Sequence, residues 1–437
     1  MPQPRTTDNG PRTTDHGPRT TDYGPRTVGQ KHKSRFKVKH RLVHLDCLRG
    51  GAALLVCLGH LRAFLFIPYE QIKSPNLLEQ GFYFVTGLGH QAVMIFFVMS
   101  GFLVGGSVIS AHQKGQWTWT GYALRRLTRL WMVLIPALLL TLVWDTVGQQ
   151  QALAGYNGAY HEIYNSGPGQ NRPADLRPLT FLGNTFFLQT ISVNCFGTNG
   201  PLWSLANEFW YYLLFPLLLG IFVRSGLWSP VSGLRFQVSG FRFLFGVLLF
   251  VAALLLLPKG ILMGGLVWLL GAGVFAAIQN DRIRSWAAQP FWLAGSGLLV
   301  LGLLAASQFG KLGGAGDLWL GVGCACLVSA LAVRPASGSI SGFRFQVSGF
   351  SLYCRLSAAA SEFSYTLYLV HFPVLACLFY TVFKGQQMTP GWQGALWFAG
   401  ILAGIIIYAS AVWWLFERNT DRLRKRIEPF LIHRRVE

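Results

Sequence analysis

Residues 45–67 read LDCLRGGAALLVCLGHLRAFLFI, an apolar stretch that is long enough to cross a bilayer but carries Asp46, Arg49, His60 and Arg62. An ionisable group in hydrocarbon costs several kcal/mol unless it faces the protein interior or a wet cavity. In a helix, Arg49 and His60 lie about 20° from the same face and roughly 16 Å apart along the axis, and Asp46 lies within about 60° of Arg49. One helix face therefore carries an acid and a cation near one membrane surface and an imidazole deeper in the bilayer.

Two interpretations of this helix face are open. In the structural interpretation, Asp46 and Arg49 anchor the helix at the lipid headgroups and His60 is a hydrogen-bonded core residue. In the functional interpretation, the three side chains belong to a functional site, because an ionisable residue within a membrane span is a functional candidate by default. The remaining polar segments of the chain favour the functional interpretation.

The composition places the chain among membrane proteins. Hydrophobic residues make up 52% of the 437 positions and charged residues 12%, which is about half the charged fraction of a soluble globular protein. The net charge of +20 would suit nucleic acid, but the cations lie between apolar segments and at both ends of the chain. That distribution indicates positive-inside topology. The sequence predicts an all-α polytopic protein whose partner is the lipid bilayer and not a nucleic acid.

Hydropathy predicts about ten transmembrane helices. The segment 179–191, LTFLGNTFFLQTI, is too short to span and is predicted to be a re-entrant or interfacial helix. The predicted spans are 45–67, 86–110, 127–146, 200–223, 243–258, 261–279, 290–307, 317–334, 361–383 and 393–416.

Clusters of Lys and Arg orient these spans. Basic residues precede the first span, follow the second, fourth, sixth and eighth spans, and recur after the last one. With ten spans, all of these clusters fall on one side of the membrane, and the positive-inside rule makes that side cytoplasmic. Both termini are therefore predicted to be cytoplasmic, and the cation-poor loop 147–178 is predicted to lie outside.

Repeats mark the parts of the chain that are not expected to span the membrane. Residues 1–27 repeat a seven-residue Pro/Thr/Gly unit that cannot bury a core, so it should be disordered. The predicted organisation is a disordered basic tail at 1–41, a membrane domain at 42–420 and a basic cytoplasmic tail at 421–437. The heptapeptide RFQVSGF occurs at 235–241 and again at 344–350, and we interpret it as an insertion tolerated in cytoplasmic loops.

Two further spans carry polar groups. Ser100 lies mid-span in IFFVMSGFLV, where a small residue also serves close packing of helices. Arg125 and Arg126 begin the third span in YALRRLTRLW. Paired arginines at a membrane surface are a topology signal, but they also bind phosphate in a bidentate manner, and a helix N-terminus favours an anion.

The fourth span contains a carboxylate. Glu208 lies in GPLWSLANEFWYYLLFP, close to Trp203 and roughly three turns inside the apolar stretch. A glutamate in a membrane span is a functional candidate by default, and this one could orient His60 or pair with an arginine.

Taken together, these segments resemble the acyltransferase-3 family of integral membrane acyltransferases. The family's segments LDxLRGxAxxxVxxxH, FFxxSGFL, RRxxR, LWSLxxExxFYLxFP and SYxxYLxHxP correspond in order to LDCLRGGAALLVCLGH, IFFVMSGFLV, YALRRLTRLW, GPLWSLANEFWYYLLFP and FSYTLYLVHFPV, and its terminal FE to FER at 416–418. The resemblance covers residues 42–420. Cys47 and Asn207 depart from it, because Gly is common at the first position and Val or Glu is more usual at the second.

The resemblance implies acyl transfer, commonly of acetyl from acetyl-CoA, to a hydroxyl of a sugar or cell-envelope glycan. The family's Arg-x10-His falls on Arg49 and His60, its paired arginines on Arg125 and Arg126, and its glutamate on Glu208. Acyl-CoA is then a co-substrate, and neither a bound cofactor nor a metal is expected. The expected location is the inner membrane of a bacterial cell, which the chain crosses many times.

The residues permit two mechanisms. The predicted catalytic residues are His60 and Glu208, and the predicted substrate- or CoA-binding residues are Asp46, Arg49, Ser100, Arg125, Arg126 and Trp203. His60 could act as the general base for a sugar hydroxyl, because imidazole titrates near neutral pH. Alternatively, His60 could carry the acyl group itself in a ping-pong reaction. The arginines would hold the CoA phosphates, and Glu208 would orient or polarise.

A transporter or flippase is the main rival from another functional class, because such proteins also place polar residues at mid-membrane. They usually show internal repeats or matching broken helices in their two halves. No such symmetry is visible between residues 42–223 and 243–416. The sequence therefore favours an enzyme.

Overall fold

The computed structural model describes residues 42–158, 173–224, 240–334, 339–340, 343–344 and 348–432. In these ranges the chain is helical apart from its turns, isolated bridges and one antiparallel pair of strands, β1 (Ser339–Ile340) and β2 (Phe343–Arg344). The prediction of an all-α membrane protein is confirmed. The predicted tail at 1–41 and most of the two RFQVSGF copies lie outside the described residues.

The described ranges contain fifteen α-helices, three short 3₁₀ turns and one π-helical segment. The α-helices are α1 (Val43–Leu65), α2 (Leu77–Thr86), α3 (Gly89–Ser100), α4 (Gly106–Gln113), α5 (Trp119–Tyr156), α6 (Pro178–Thr185), α7 (Leu202–Arg224), α8 (Gly240–Leu256), α9 (Lys259–Ala277), α10 (Asp281–Ala287), α11 (Pro290–Gln308), α12 (Gly316–Ala332), α13 (Ser348–Thr381), α14 (Trp392–Leu415) and α15 (Thr420–Ile432). The π-helical segment, Gly101–Gly105, joins α3 to α4, and the 3₁₀ turns are Tyr69–Gln71, Gly313–Ala315 and Glu417–Asn419.

Nine helical stretches of the described chain are long and apolar enough to cross a membrane. They match nine of the ten predicted spans. The remaining span, predicted at 243–258, corresponds to α8, a shorter helix of 17 residues. At 1.5 Å per residue α8 is about 26 Å long, slightly less than the roughly 30 Å hydrocarbon core.

The neighbours of α8 in the chain indicate that it also crosses the bundle. Both α7 and α9 run parallel to α3, so the chain between them has to return to the other end. The contacts that set these directions are Trp203 with His90 and Tyr211 with Phe97 for α7, and Trp268 with Ser100 and Phe275 with Phe102 for α9. Of the residues between α7 and α9, the structure describes one helix, α8, and we interpret it as the returning span.

The centre of the bundle is built from α1 and α13. Helix α1 packs chiefly against α13 and α3, and α13 also packs against α5. Gly50 lies so close to Ala360 that a Cβ at position 50 would collide with it. Small residues at such a crossing let two membrane helices approach closely, and dispersion contacts then stabilise the pair. Segments about 310 residues apart in sequence thus become direct neighbours.

A proline in α13 ties the segment before α7 to this centre. Pro373 has no N–H, so the carbonyl of Leu369 lacks its helical donor. Asn199 Nδ2 donates to that carbonyl over 2.9 Å and to Thr141 Oγ1 in α5 over 3.1 Å. In the bilayer every backbone polar group has to be satisfied within the protein, so this side chain completes the helix.

The segment predicted at 179–191 folds back onto α5. Its helical part is α6, which ends at Thr185, and Phe187 and Thr190 then adopt positive φ angles in the turns that follow. The buried carboxylate of Asp145 in α5 accepts hydrogen bonds from the backbone N–H and the hydroxyl of Thr198, at 2.6 and 2.8 Å. This anchor fixes the point from which α7 begins.

One end of the bundle collects the arginines, and we call it the basic end. It contains Arg125, Arg126 and Arg129 at the start of α5, and Arg418 and Arg424 around the start of α15. Helix α15 packs against α5 there. That this end faces the cytoplasm stays a prediction from the positive-inside rule.

Candidate active site

Two histidines from the central helices face each other. His60 Nδ1 in α1 lies 2.8 Å from His371 Nε2 in α13, and the two rings stack with centroids 5.1 Å apart. The edge of Phe372 packs on the His60 ring at a centroid distance of 4.9 Å. His371 is fully buried, whereas His60 is partly accessible. The polar partner of the mid-membrane His60 is therefore a second imidazole.

The hydrogen bonds of His371 determine which nitrogen of His60 is free. His371 Nδ1 lies 2.9 Å from the carbonyl of Leu367, which can only accept, so His371 carries a proton on Nδ1. In a neutral pair, His371 Nε2 then accepts a hydrogen bond from the Nδ1–H of His60. This assignment follows from the network and leaves His60 Nε2 unprotonated. An imidazole held in this way is suited to remove a proton from a substrate.

His60 lines a cavity of about 600 Å³, which we call the histidine cavity. It lies at the end of the bundle away from the basic end, among α1, α3, the start of α7 and α13. Trp203 lies nearly parallel to the ring of His90 on its wall, with centroids 6.4 Å apart, and His90 Nε2 lies 2.8 Å from Asp317 Oδ1. The cavity has the size and the mixed apolar and polar wall of a small-molecule site.

Cys195 also lines the histidine cavity but is a poor nucleophile. Its thiol donates to the carbonyl of Gly200 at 3.4 Å, and burial raises the pKa of the Cys195 thiol to about 12. The thiol therefore stays protonated at neutral pH, and only a thiolate is reactive. In the part of the chain that the structure describes, no three His, Cys, Asp or Glu side chains are grouped to hold a metal ion.

A second cavity, of about 520 Å³, opens at the basic end, and we call it the basic cavity. Its wall carries twice as many arginines as carboxylates. These residues are Arg49, Arg125, Arg126, Arg129, Arg418 and Arg424, with Glu208, Glu417 and Asp421. Arginine binds phosphate in a bidentate manner, so this excess of guanidinium groups suits a ligand with several phosphates.

Arg49 is held in the wall of the basic cavity by two neighbours. Its Nε donates to Ser361 Oγ at 2.9 Å, and its Nη2 lies 3.5 Å from Asp46 Oδ1 and also contacts Ser361. The hydroxyl of Ser361 donates in turn to Asp46 at 2.8 Å. Asp46 itself does not line the cavity. It lies behind Arg49 and neutralises part of its charge, so its role in this arrangement is to position the guanidinium.

Glu208 meets a tyrosine and lies in an arginine-lined wall. Tyr212 donates to Glu208 Oε1 at 2.6 Å, and Arg126 lies over the Tyr212 ring at 5.8 Å. Pro216 has no N–H, so the carbonyl of Tyr212 lacks its helical donor. It accepts a hydrogen bond from the Tyr122 hydroxyl at 2.9 Å instead. Helix α5, which carries the paired arginines, is thereby fixed to the turn of α7 that carries the glutamate.

One of the carboxylates that line the basic cavity, Glu417, is buried. Glu417 is 7% exposed and accepts from the hydroxyl of Thr366 at 2.6 Å, while Arg129 Nη2 lies 3.9 Å from its other oxygen. The FER turn at 416–418 therefore connects the end of α14 to α13 and α5.

Ser100 takes part in both packing and the cavity wall. Its hydroxyl accepts from Trp268 Nε1 at 3.1 Å and lies 3.4 Å from the Tyr212 hydroxyl. The π-helical segment follows directly, and there a Cβ on Gly101 would collide with the carbonyl of Trp268. A π-bulge in a helix often marks a functional site, and this one lets α9 approach while Ser100 still lines the basic cavity.

The two cavities share part of one wall. Val93 and Tyr368 line both of them. The Tyr368 hydroxyl lies 2.7 Å from Ser204 Oγ and donates to the Pro201 carbonyl at 3.2 Å. Tyr368 is one helical turn before His371, so the shared wall stands next to the histidine pair.

The structure brings the predicted residues together in two groups and not in one. His60 and Trp203 line the histidine cavity, Arg49, Ser100, Arg125, Arg126 and Glu208 line the basic cavity, and Asp46 supports Arg49. The alternative in which Glu208 orients His60 has no support among the described contacts, because the two side chains lie in different cavities. No ion pair between Glu208 and an arginine is found in the described chain either; its hydrogen-bond partner is Tyr212, in a wall that also carries arginines.

Several residues of the site were missed by the sequence reasoning. His371 and Tyr368 both lie in FSYTLYLVHFPV, a segment that was matched to a family but given no role. The signal was present, because a histidine in a membrane span is as unusual at position 371 as at position 60. Arg129 and Glu417 likewise lie in matched segments.

A family model described as an acyltransferase domain matches residues 42–414. This range contains the His60–His371 pair, the paired arginines and Glu208. No curated protein and no solved structure matches the chain.

Proposed function

Because the chain belongs to the acyltransferase-3 family, we propose that it transfers an acetyl group from acetyl-CoA to a hydroxyl of a sugar in a cell-envelope glycan. Acyl transfer in general follows from the family. The donor, the acceptor and the acetyl group are our proposal, and the observation that carries it is the pair of cavities that meet at Tyr368 beside the His60–His371 pair.

The basic cavity is the proposed donor site. Coenzyme A carries three phosphates, and an arginine-rich wall complements them. Arg125 and Arg126 lie nearly two turns inside α5, which begins at Trp119, so the guanidinium groups and not the helix N-terminus would hold a phosphate there. Acetyl-CoA is made in the cytoplasm, which agrees with the predicted orientation of the basic end.

The histidine cavity is the proposed acceptor site. A sugar ring has room to lie along Trp203 with one hydroxyl near His60 Nε2. The acetyl thioester would reach that hydroxyl from the basic cavity, past the side chains of Val93 and Tyr368 that separate the two spaces. Donor and acceptor would then enter from opposite faces of the membrane, here a bacterial inner membrane.

The proposed reaction uses His60 as the general base. His60 Nε2 takes the proton of the sugar hydroxyl, and the oxygen attacks the thioester carbonyl carbon. The C–S bond then breaks, the acetyl group remains on the sugar oxygen, and the CoA sulfur leaves with the proton that His60 returns. His371 holds His60 in the reactive tautomer throughout. Glu208 orients Tyr212 and Arg126 on the donor side.

A covalent mechanism uses the same nitrogen. His60 Nε2 could attack the thioester itself and pass the acetyl group to the sugar in a second step. The two routes differ in the absence of acceptor, because only the covalent route gives one equivalent of CoA and an acetylated His60. Rapid mixing of the purified protein with acetyl-CoA, followed by mass analysis of the peptide that contains residue 60, separates them.

The function is tested with deuterated acetyl-CoA supplied to the basic side of membrane vesicles that contain the full chain. We expect deuterated acetate, released by mild base, on envelope glycan from vesicles with the natural chain and none with His60→Ala. Glycan that crosses the membrane without gaining the label would identify a transporter or flippase instead. Label that appears equally in both preparations would overturn the proposed role of His60.

A further inference from the structure

The wall of the histidine cavity carries positive charge without a carboxylate. Its ionisable lining residues are His60, Arg62, His90, Cys195 and Tyr368, and no Asp or Glu belongs to the lining. His90 has an acidic partner just outside, since its Nε2 lies 2.8 Å from Asp317 Oδ1. Glu70, outside the lining, acts electrostatically on Arg62 but forms no ion pair with it in the described chain, so Arg62 supplies the charge of this wall that has no paired carboxylate.

Arg62 has few partners in the described chain. Its Nε is shut off from solvent and has no hydrogen-bond partner there, and no ion pair to it is found. Its guanidinium lies over the ring of Tyr83, 5.1 Å from the centroid. The Tyr83 hydroxyl donates to the Ile67 carbonyl at 2.7 Å, which fixes that ring. The guanidinium is therefore held in place by a cation–π contact and keeps most of its donors free for a ligand.

The last turns of α1 place Arg62 across the cavity mouth from His60. The helix face that lines the cavity is centred on Gly59 and Ala63. A Cβ on Gly59 would collide with the Thr86 carbonyl, so glycine lets the end of α2 approach there. His60 and Arg62 lie about 200° apart around the axis, so they flank this face on either side. An arginine that only anchored the helix to lipid headgroups would not need to line the cavity that holds the free nitrogen of His60.

Resting on the proposed acyl-transfer function, we propose that Arg62 binds an anionic group of the acceptor, so that the acceptor class is an acidic glycan. Arginine pairs in a bidentate manner with the carboxylate of a uronic acid or with a sugar phosphate. Such an anion would neutralise Arg62 in a partly desolvated site and would place a hydroxyl of the same or the adjoining sugar at His60. A neutral sugar would leave the guanidinium unpaired, so it would be a poorer acceptor.

The test compares probe acceptors that share the glucose ring and differ in the group at C6, with the purified full-length protein in lipid nanodiscs. The probes are glucose, glucuronate and glucose 6-phosphate, which separate no anion, a carboxylate and a phosphate. Binding is read from the shift in the thermal unfolding midpoint, and transfer from acetylated probe detected by mass. The variants are Arg62→Gln, which removes the charge, and Arg62→Lys, which keeps charge but loses the bidentate fork. Lys73→Gln, at an exposed cation in the loop after α1, is the matched control.

We expect at least one anionic probe to stabilise the natural chain and the Lys73→Gln control at about tenfold lower concentration than glucose does. Arg62→Gln should lose this preference, and Arg62→Lys should keep part of it. His60→Ala should keep it in full, because binding does not need the base. Failure of transfer with the binding preference intact would count against the proposed function alone. Equal effects of the three probes on the natural chain, including no effect of any, would overturn the role of Arg62.

Discussion

The two cavities differ in how many groups share one task. The basic cavity has six arginines in its wall, and each would contribute a similar charge to the proposed donor site. In the histidine cavity, the proposed base is one nitrogen of His60 and the proposed anion-binding group is the guanidinium of Arg62. Charge attraction is summed over many groups, whereas proton transfer depends on a single atom. Loss of one residue should therefore be partly compensated in the first cavity and not in the second.

The strongest test of this difference is His60→Ala. We expect acetyl transfer to fall by about 10²–10⁴-fold, since a positioned base contributes that much. Raising the acetyl-CoA concentration should not restore it. The rate of acetylated glycan formation at saturating donor is the measurement. His44→Ala, at the other end of α1 and in neither cavity wall, is the matched control and should leave the rate nearly unchanged. If His60→Ala kept nearly natural turnover, the proposed role as a base would be wrong and His60 would be a hydrogen-bonded core residue.

His371 offers a pair of substitutions that separates hydrogen bonding from volume. In His371→Leu, His60 Nδ1 loses its acceptor, and the tautomer with a free Nε2 is no longer enforced. We expect kcat to fall roughly 10- to 100-fold, as is typical when a group that orients a catalytic imidazole is removed. In His371→Gln the amide oxygen can accept from His60, so kcat should recover in part. Equal losses in both variants would show that His371 serves packing alone.

Arg125→Ala and Arg126→Ala test the basic cavity, in which several arginines share one task. We expect each to raise the KM for acetyl-CoA by about tenfold, the effect of losing one charge-assisted hydrogen bond, with kcat close to that of the natural chain. Saturating acetyl-CoA should restore most of the rate. Lys114→Ala removes an exposed cation at the same end that lies outside the cavity wall, and its KM should not change. A fall in kcat with an unchanged KM would contradict this prediction and would show that these arginines act in the chemical step and not in donor binding.

The smallest effect is expected from deletion of residues 1–27, which lie outside the described residues. A Pro/Thr/Gly repeat has no apolar face with which to dock on either cavity. Activity should remain within a few-fold of the full chain when equal amounts of membrane-inserted protein are compared by quantitative blotting. Complete loss of transfer by a truncated chain that inserts normally would contradict the prediction.

The spans could be predicted from the sequence, and so could the placement of Arg49 and His60 at different depths of α1, because these signals are local. The spacing of Arg49 and His60 on one helix was enough to place a cation near one surface and an imidazole deeper. In the structure Arg49 indeed lines the basic cavity and His60 the other. The helix repeat of 3.6 residues fixes such relations within a single span without knowledge of its neighbours.

The partners across helices could not be predicted, because they depend on packing between distant segments. His60 and His371 are 311 positions apart, and only the close crossing of α1 and α13 at Gly50 and Ala360 brings them together. The same holds for Asn199 and Leu369, which are joined because a proline has freed one carbonyl. A single sequence does not indicate which two polar groups from distant segments will form a hydrogen bond. The division of the site into two cavities could therefore not be predicted.

Asp145 has a consequence for how the chain enters the membrane. A ribosome delivers α5 to the bilayer about fifty residues before Thr198, whose backbone and hydroxyl supply the hydrogen bonds found at this carboxyl. In that interval the carboxyl group lacks these donors, but it lies near the end of the predicted span 127–146, where it can stay hydrated at the membrane surface. When the segment before α7 is added, Thr198 closes over this carboxyl group and removes it from water. The final packing of α5 therefore depends on residues that the ribosome adds later.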